Sequence, residues 1–514
     1  MNPAARRHFP RIILLILLLI GGILRCRSID REGQSPDEFW SVYLSTGRAQ
    51  TIFSLPPGKL LDPPPPATLR SAPSWPHVWT GMINAIHPPL YHVILRWWMD
   101  LFGDSDAVTR AMSGLFSLAG AVVLYDALRR AGEPTAGLIA AAMMIFAVGQ
   151  IDMSQQTRSY TMLAFCGVVA CHAVIRIETC GAYLCTLREL SLAWIAALLT
   201  HYLAVPALGG LGLYALIRLR GRDRNRTVAA MLISSLVALA LWYPWLRRQY
   251  PLFTSDYTWL HEPTPGIHQA MLRVLYIPAA QLYGRPALLA TIAPAVIVYL
   301  LPLLWIKRKP QMLIWWFWTA GVIFSLTLRD LASHTLLSAF PKYTFAASPA
   351  ICALASIPSP LPGWRRWILP GAMLFSVVVA TVQRWQQGPP PQADWRGLSR
   401  QIDQWAAPRD PLIFAPDPFW GSPAFSYIAL MHYVPDSQRP ILMLARPADA
   451  SVLRQLSGFN RIWLIRPMAA PQIDWLPGWI VLKSTARPDA AFVLEMVPAI
   501  SQSSSPPANR SPAP

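Results

Sequence analysis

Charge is scarce in this chain. Only 14% of its 514 residues are Asp, Glu, Lys or Arg, against roughly 25% in an ordinary soluble domain. That shortage, with 54% hydrophobic residues and 22 Trp, excludes a plain soluble globule and indicates a polytopic membrane protein. C-x-x-C spacing is also missing. Cys26, Cys166, Cys171, Cys180, Cys185 and Cys352 form no paired pattern, and four of them lie in or beside one apolar segment. This excludes a disulfide framework and a zinc site and leaves small buried hydrophobes. The soluble-enzyme signatures G-x-x-x-x-G-K-S/T, G-x-S-x-G and H-E-x-x-H are absent. No small-x-small cleavage site follows the first apolar run, and Arg25 precedes Cys26 where a lipoprotein needs a small residue, so the run reads as an uncleaved signal-anchor.

What is present is a series of apolar runs. A spanning helix needs about 20 mostly apolar residues. The candidates are 12–25, 107–128, 133–150, 158–177, 189–201, 203–218, 227–246, 287–306, 311–328, 343–358 and 366–383, so about eleven spans are expected. Gly209-Gly210-Leu211-Gly212 inside one run reads as helix packing. The net charge of +18 does not point to nucleic acid, because Arg and Lys fall in short runs between apolar segments. Arg6, Arg7 and Arg11, then Arg129-Arg130, Arg176 and Arg188, the five Arg of 218–226, Lys307-Arg308-Lys309 and Arg365-Arg366 all fall on one side if the span count holds. By the positive-inside bias that side is the cytoplasm, with the N-terminus on it.

The other side then receives 26–106, 151–157, the turn at His201-Tyr202, 247–286, 329–342 and everything after 384. Residues 1–384 are expected to form the membrane domain, with 26–106 as its first extracytoplasmic loop. His87-Pro88-Pro89-Leu90-Tyr91 opens a Trp-rich amphipathic stretch, 90–102, expected to lie in the interface plane. Beyond 384 the long apolar runs stop. Short β-type runs at 411–415, 440–445, 461–466, 478–483 and 491–496, alternating with helix-compatible 394–406 and 447–457, predict a small extracytoplasmic α/β domain over 385–498. The Ser/Pro/Ala-rich residues 499–514 are expected to be disordered. The fold class is thus mainly α: a transmembrane helical bundle with a small C-terminal α/β domain.

The chemistry centres on Ser35-Pro36-Asp37-Glu38-Phe39-Trp40, two adjacent carboxylates at the edge of a membrane. Such a pair is either a solvated turn or an acid–base centre working at the bilayer surface. The same side gathers His87, Asp152, Arg158, His201, Arg285, Arg329, Asp330, His334 and Lys342. Each read alone is an interfacial anchor. Together, an acid can activate a hydroxyl or amine while cations hold an anionic leaving group such as a phosphate.

The acidic motif, His87-Pro88-Pro89-Leu90-Tyr91, Leu101-Phe102-Gly103-Asp104-Ser105 with Arg110, Gln155-Gln156-Thr157-Arg158-Ser159-Tyr160, Thr200-His201-Tyr202, Pro341-Lys342-Tyr343 and Asp394-Trp395-Arg396-Gly397 follow one another over most of the chain. In order and spacing they resemble the GT-C class of polytopic glycosyltransferases, in particular the protein mannosyltransferases and aminoarabinose transferase-like enzymes of glycosyltransferase family 39. The resemblance implies a multi-pass protein of the bacterial inner membrane. It implies transfer of a sugar from a polyprenyl-phosphate donor to a lipid, glycan or protein acceptor. It makes Asp37 the catalytic carboxylate, acting as general base, with Glu38 in support. Arg158 and Lys342 become candidates for the carrier phosphate, and His87, Tyr160, His201, Tyr202 and Tyr343 pocket residues. The family's usual Glu is Gln156 here, and Lys342 stands where Arg is commoner. Some members of the class use a divalent metal, but no ligand set can be assigned. Two other readings are a transporter or flippase of lipid-linked saccharides and a catalytically inactive scaffold. The flippase reading calls for ionisable groups deep within spans and an internal repeat, and the sequence has neither.

Overall fold

The computed structural model describes residues 3–31, 33–253, 266–287, 289–305, 309–388, 394–416, 422–467, 474–486 and 491–499. Residues 500–514 of the tail, Lys307-Arg308, and 254–265 of the 247–286 loop lie outside the described residues. In chain order the helices are α1 (Pro3–Cys26), α2 (Pro36–Ser45), α3 (Ala49–Phe53), α4 (Pro76–Gly81), α5 (Leu90–Phe102), α6 (Asp106–Arg130), α7 (Pro134–Phe146), α8 (Val148–Ser154), α9 (Tyr160–Cys180), α10 (Leu184–Thr200), α11 (Ala204–Arg218), α12 (Gly221–Phe253), α13 (Ile267–Tyr283), α14 (Leu289–Tyr299), α15 (Leu313–Ser333), α16 (Pro341–Thr344), α17 (Ser348–Ser356), α18 (Ile368–Gln387), α19 (Trp395–Trp405), α20 (Ala424–Tyr433) and α21 (Ala450–Leu456). The strands are β1 (Leu60–Leu61), β2 (Leu412–Phe414), β3 (Ile441–Met443), β4 (Ile462–Pro467), β5 (Trp479–Ala486) and β6 (Ala491–Pro498). They separate into two compact units, Met1–Asp30 with Ala85–Pro390, and Arg31–Asn84 with Pro391–Pro514.

The first unit is helical. Among the described residues each of the eleven apolar runs falls mainly on helix. Among the described residues six helices are long and apolar enough to cross a membrane, and a seventh span results if α7 and α8, bent by 56° at Ala147, are counted as one. The run 343–358 is broken into α16, a 3-10 turn at Phe345–Ala347 and α17, each helix starting at or next to a Pro, Pro341 or Pro349, that cannot donate a backbone hydrogen bond. Helix α13 was not expected, because His268, Arg273 and Pro278 interrupt its apolar run.

Two packing features shape this unit. At the α7–α8 bend, the carbonyls of Met144 and Ile145 lose their usual helical donors. The buried Arg25 supplies replacements, with Nη2 donating to Met144 O and Nη1 to Ile145 O, each at 3.2 Å. Its Nη2 also donates to Ser117 Oγ at 2.9 Å, which continues through Gln150 to Ser348. The second feature is the close approach of α11 and α15. A Cβ on Gly210 would collide with Phe317 O, and one on Gly321 would lie 2.6 Å from Pro206 O. The glycine run is therefore close-packed at Gly210, whereas a Cβ on Gly212 would make an ordinary contact with Trp194 at 3.8 Å and one on Gly209 meets nothing within 4 Å. Gly210→Val is expected to destabilise the protein by about 1–3 kcal/mol through overpacking. Gly209→Val should leave its unfolding temperature nearly unchanged. Equal shifts for the two would refute this packing account.

The second unit is an α/β layer. Its sheet runs β1-β3-β2-β4-β6-β5, with β2 parallel to β3 and β4 and the other pairs antiparallel. Side chains alternate across a strand. Leu412, Phe414, Trp463 and Ile465 therefore join Phe39, Tyr43, Trp395, Leu398 and Tyr427 on one face. Ile413, Leu442 and Leu464 join Val452, Leu456 and Trp475 on the other. Both faces are covered, which is why β2, β3 and the first four residues of β4 are continuous apolar runs. All five expected strands form. The difference lies in 31–84. Rather than a plain loop, this segment contributes helices α2 to α4 and the edge strand β1, with Leu60 opposite Leu442 and Leu61 opposite Ile441. Gly58 N donates to Met443 O at 2.7 Å, and Gln34 N donates to Tyr433 Oη at 2.8 Å.

Candidate functional site

In the second unit the acidic motif opens α2. Ser35 is the N-cap and Pro36 sits at the first helical position, where its missing N–H costs nothing. Glu38 occupies the third. Its Oε2 accepts the Ser35 N–H at 2.9 Å, completing a capping box, and the residue is fully buried. Asp37, one position earlier, is half-exposed. The two carboxylates are therefore not equivalent: Glu38 is buried in the helix cap and Asp37 is half-exposed. The helix is held by Phe39, whose ring meets His432 at 5.5 Å and Tyr433 at 5.7 Å. A Gln at position 38 still completes a capping box. Glu38→Gln should thus keep wild-type thermal stability, whereas Glu38→Ala loses about 1 kcal/mol. If Gln destabilises as much as Ala, the capping role is wrong.

In the first unit four separate motifs converge. His87 follows the 3-10 turn at 82–84, Arg158 and Tyr160 open α9, His201 sits in the break between α10 and α11, and Lys342 and Tyr343 lie on α16. The His87 and His201 rings are 5.3 Å apart, and Tyr160 and His201 are 5.5 Å apart. The Arg158 guanidinium lies 5.6 Å from the Tyr160 ring centre, and Lys342 Nζ lies 5.3 Å from that of Tyr343. Tyr343 packs with Met153 and Leu203 around Tyr160, Ala164 and Phe345. Arg158 is 7% exposed, His201 6% and Tyr160 1%.

The polar atoms of this cluster are unusual. His201 Nδ1 accepts the Leu203 N–H at 3.1 Å, so in the neutral ring the proton sits on Nε2. That buried Nε2–H has no hydrogen-bond partner, nor do the Tyr160 hydroxyl and His87 Nδ1. Buried polar groups nearly always find partners, so three orphans side by side mark a place for a ligand. Burial, with Arg158, His92 and Lys342 nearby, pushes His201 down to about 3. Burial and the same cations, with His201, hold His87 well below the usual imidazole range. The cluster is a set of donors and positive charges, suited to an anion with several acceptor oxygens.

Not every expected residue joins it. The Tyr202 hydroxyl turns to α12, donating to Gln249 Oε1 at 2.7 Å and accepting from Trp242 Nε1 at 3.0 Å. Asp152 is paired with Arg384 at 2.8 Å. Asp330 is buried, its carboxylate accepting Thr335 Oγ1–H at 2.6 Å, Leu337 N–H at 2.8 Å and Ser338 N–H at 2.7 Å. It shapes the turn that leads to α16. Arg285, Arg329 and His334 are exposed. Two contributors were not singled out from sequence. His92, one turn beyond His87, has its ring 6.3 Å from it. Gln281 on α13 donates to Pro341 O at 2.9 Å and Thr344 Oγ1 at 3.0 Å, holding α16 in place. The His at the end of the HPPLYH run was a readable signal for the first, and the second had none. Among the described residues no group of three His, Cys, Asp or Glu converges to hold a metal ion.

Residues 86–247, which carry most of this cluster, match the family model of dolichyl-phosphate-mannose-protein mannosyltransferase. No curated protein sequence matches the chain. Solved structures do. ArnT from Cupriavidus metallidurans in the apo state is similar at 13% identity and a TM-score of 0.57, covering 98% of this chain and 100% of that one. ArnT bound to undecaprenyl phosphate is similar at 14% and 0.56, covering 94% and 97%. The Archaeoglobus fulgidus oligosaccharyltransferase tethered with an acceptor peptide is similar at 11% and 0.50, covering 90% and 69%. This chain has the GT-C glycosyltransferase fold, as the order of its motifs implied.

Proposed function

We propose that this chain is a membrane glycosyltransferase. It moves a sugar from a polyprenyl-phosphate donor to a glycan, lipid or protein acceptor on the extracytoplasmic face of a bacterial inner membrane, with inversion at the anomeric carbon. The observation that carries the reading is the cluster of orphaned buried donors, His201 Nε2–H and Tyr160 Oη–H, set beside Arg158 and Lys342. Such a group is built for the phosphate of a charged substrate. The solved ArnT structure with undecaprenyl phosphate supports a lipid-linked one.

The chemistry follows from the leaving group. A lipid phosphate departs readily when its growing negative charge is met by fixed positive charge and preorganised N–H and O–H donors. Arg158, Lys342, Tyr160 and His201 supply these. The acceptor hydroxyl or amine must lose its proton as it attacks, and Asp37 is the base. Glu38 acts through the cap that holds Asp37 at the first turn of α2.

The test is release or transfer of sugar from a panel of polyprenyl-phosphate sugars by purified protein. One donor is expected to turn over. Movement of the lipid between leaflets without turnover would replace this reading with the flippase. The sidedness is checked separately. A reporter fused after residue 400 is expected to be active only outside the cytoplasm.

A further inference from the structure

The two histidines of the cluster differ in one respect. His201 Nδ1 is occupied by the Leu203 N–H at 3.1 Å. Protonating that nitrogen would set two N–H donors against each other, so geometry locks His201 as a neutral ring that donates from Nε2. His87 has no such lock. Its ring is half-buried, its Nδ1 has no partner among the described residues, and the rings of His92 and His201 lie beside it. The charged and titratable groups around it are His92 on α5, Arg158 and Tyr160 at the start of α9, His201 between α10 and α11, and Lys342 on α16.

We infer that His87 takes up a proton when an anion occupies this cluster, while His201 stays neutral. The inference rests on the reading of the cluster as a phosphate site. In the empty site, burial and the neighbouring cations hold His87 neutral at pH 7. An anion cancels the field of Arg158 and Lys342 and offers oxygens to an imidazolium N–H, so both causes of the depression weaken. Binding and protonation are then linked: the anion raises the affinity of His87 for a proton, and the proton raises the affinity for the anion by the same factor. The sign follows. Uptake occurs between the depressed value of the empty site and the higher value of the filled one. Anion affinity therefore rises as pH falls through the filled-site value, by roughly tenfold per pH unit where a whole proton is taken up. The gain matters most when the sugar leaves, because the phosphate then gains a second negative charge beside a third cation.

The experiment is calorimetric titration of the full-length protein in detergent with inorganic sulfate, a tetrahedral dianion that does not titrate near neutrality. It is run at pH 7 in HEPES and in Tris, whose ionisation enthalpies differ. The expected result is an enthalpy difference corresponding to about one proton taken up per sulfate. His87→Gln is expected to remove the difference. His201→Gln is expected to weaken binding but leave the proton count unchanged. Sulfate binding with the same enthalpy in both buffers overturns the inference and spares the anion site. A proton count lost in His201→Gln but kept in His87→Gln also overturns it. No sulfate binding in either buffer overturns the anion-site reading, and this inference with it. The wild-type comparison decides the matter even if a variant fails to fold.

Discussion

Asp37→Asn is expected to lower turnover on the order of 10³-fold, the range typical of a lost general base, with little change in expression or melting temperature. Asn keeps the size and polarity of the side chain and is itself tolerated in the first turn of a helix, so α2 is preserved. What disappears is the ability to take the acceptor's proton. The adjacent carboxylate cannot substitute, because Glu38 is buried and engaged with the Ser35 N–H. The measurement is initial rate with saturating donor and acceptor, beside a thermal unfolding curve for each protein. Wild-type turnover in Asp37→Asn would remove Asp37 from the mechanism. A collapse of both turnover and unfolding temperature would make its role structural.

Arg158→Ala is the second large effect. A hydrogen bond between a buried guanidinium and a phosphate contributes about 1.5–3 kcal/mol, so the half-saturating donor concentration is expected to rise roughly 10- to 150-fold. Arg158→Lys should recover part of this, since a point charge replaces a planar fork. The acceptor's half-saturating concentration is the internal control and should move little. An unchanged donor value in Arg158→Ala would reduce Arg158 to an anchor for the start of α9, where Ser113 Oγ donates to its carbonyl at 3.3 Å.

Much of this fold was legible because its signals are local. An apolar run long enough to cross a bilayer reports itself, and α1, α6, α9 and α15 stand where their runs stand. The strands β2 to β6 were visible as short apolar blocks. What could not be read is pairing between distant segments. Strand β1 is only two residues long, and its partner β3 lies about 380 residues later; nothing in Leu60-Leu61 says which edge it will join. For the same reason 31–84 looked like a loop. The candidate cluster shows the same division. HPPLY, QQTRSY, HY and PKY were each readable as polar positions at helix ends, and His87, Arg158, Tyr160, His201, Lys342 and Tyr343 do gather. The direction of a single side chain was not readable. Tyr202 neighbours His201 in sequence, yet its hydroxyl serves Gln249 and Trp242. Gln281 reaches α16 from a helix that the apolar pattern had hidden.

The bend between α7 and α8 bears on how the chain is assembled in the membrane. Helix α1 is synthesised before α6 and α7; of the acceptors for Arg25, Gly21 O at 3.2 Å lies on its own helix, whereas Ser117, Met144 and Ile145 lie 92 to 120 residues later. Arg25 lies in the last turn of α1, so until those residues are made its guanidinium is expected to reach for the headgroups. The contact that serves the bend between α7 and α8 is therefore one that α1 is expected to complete only after α6 and α7 have been made.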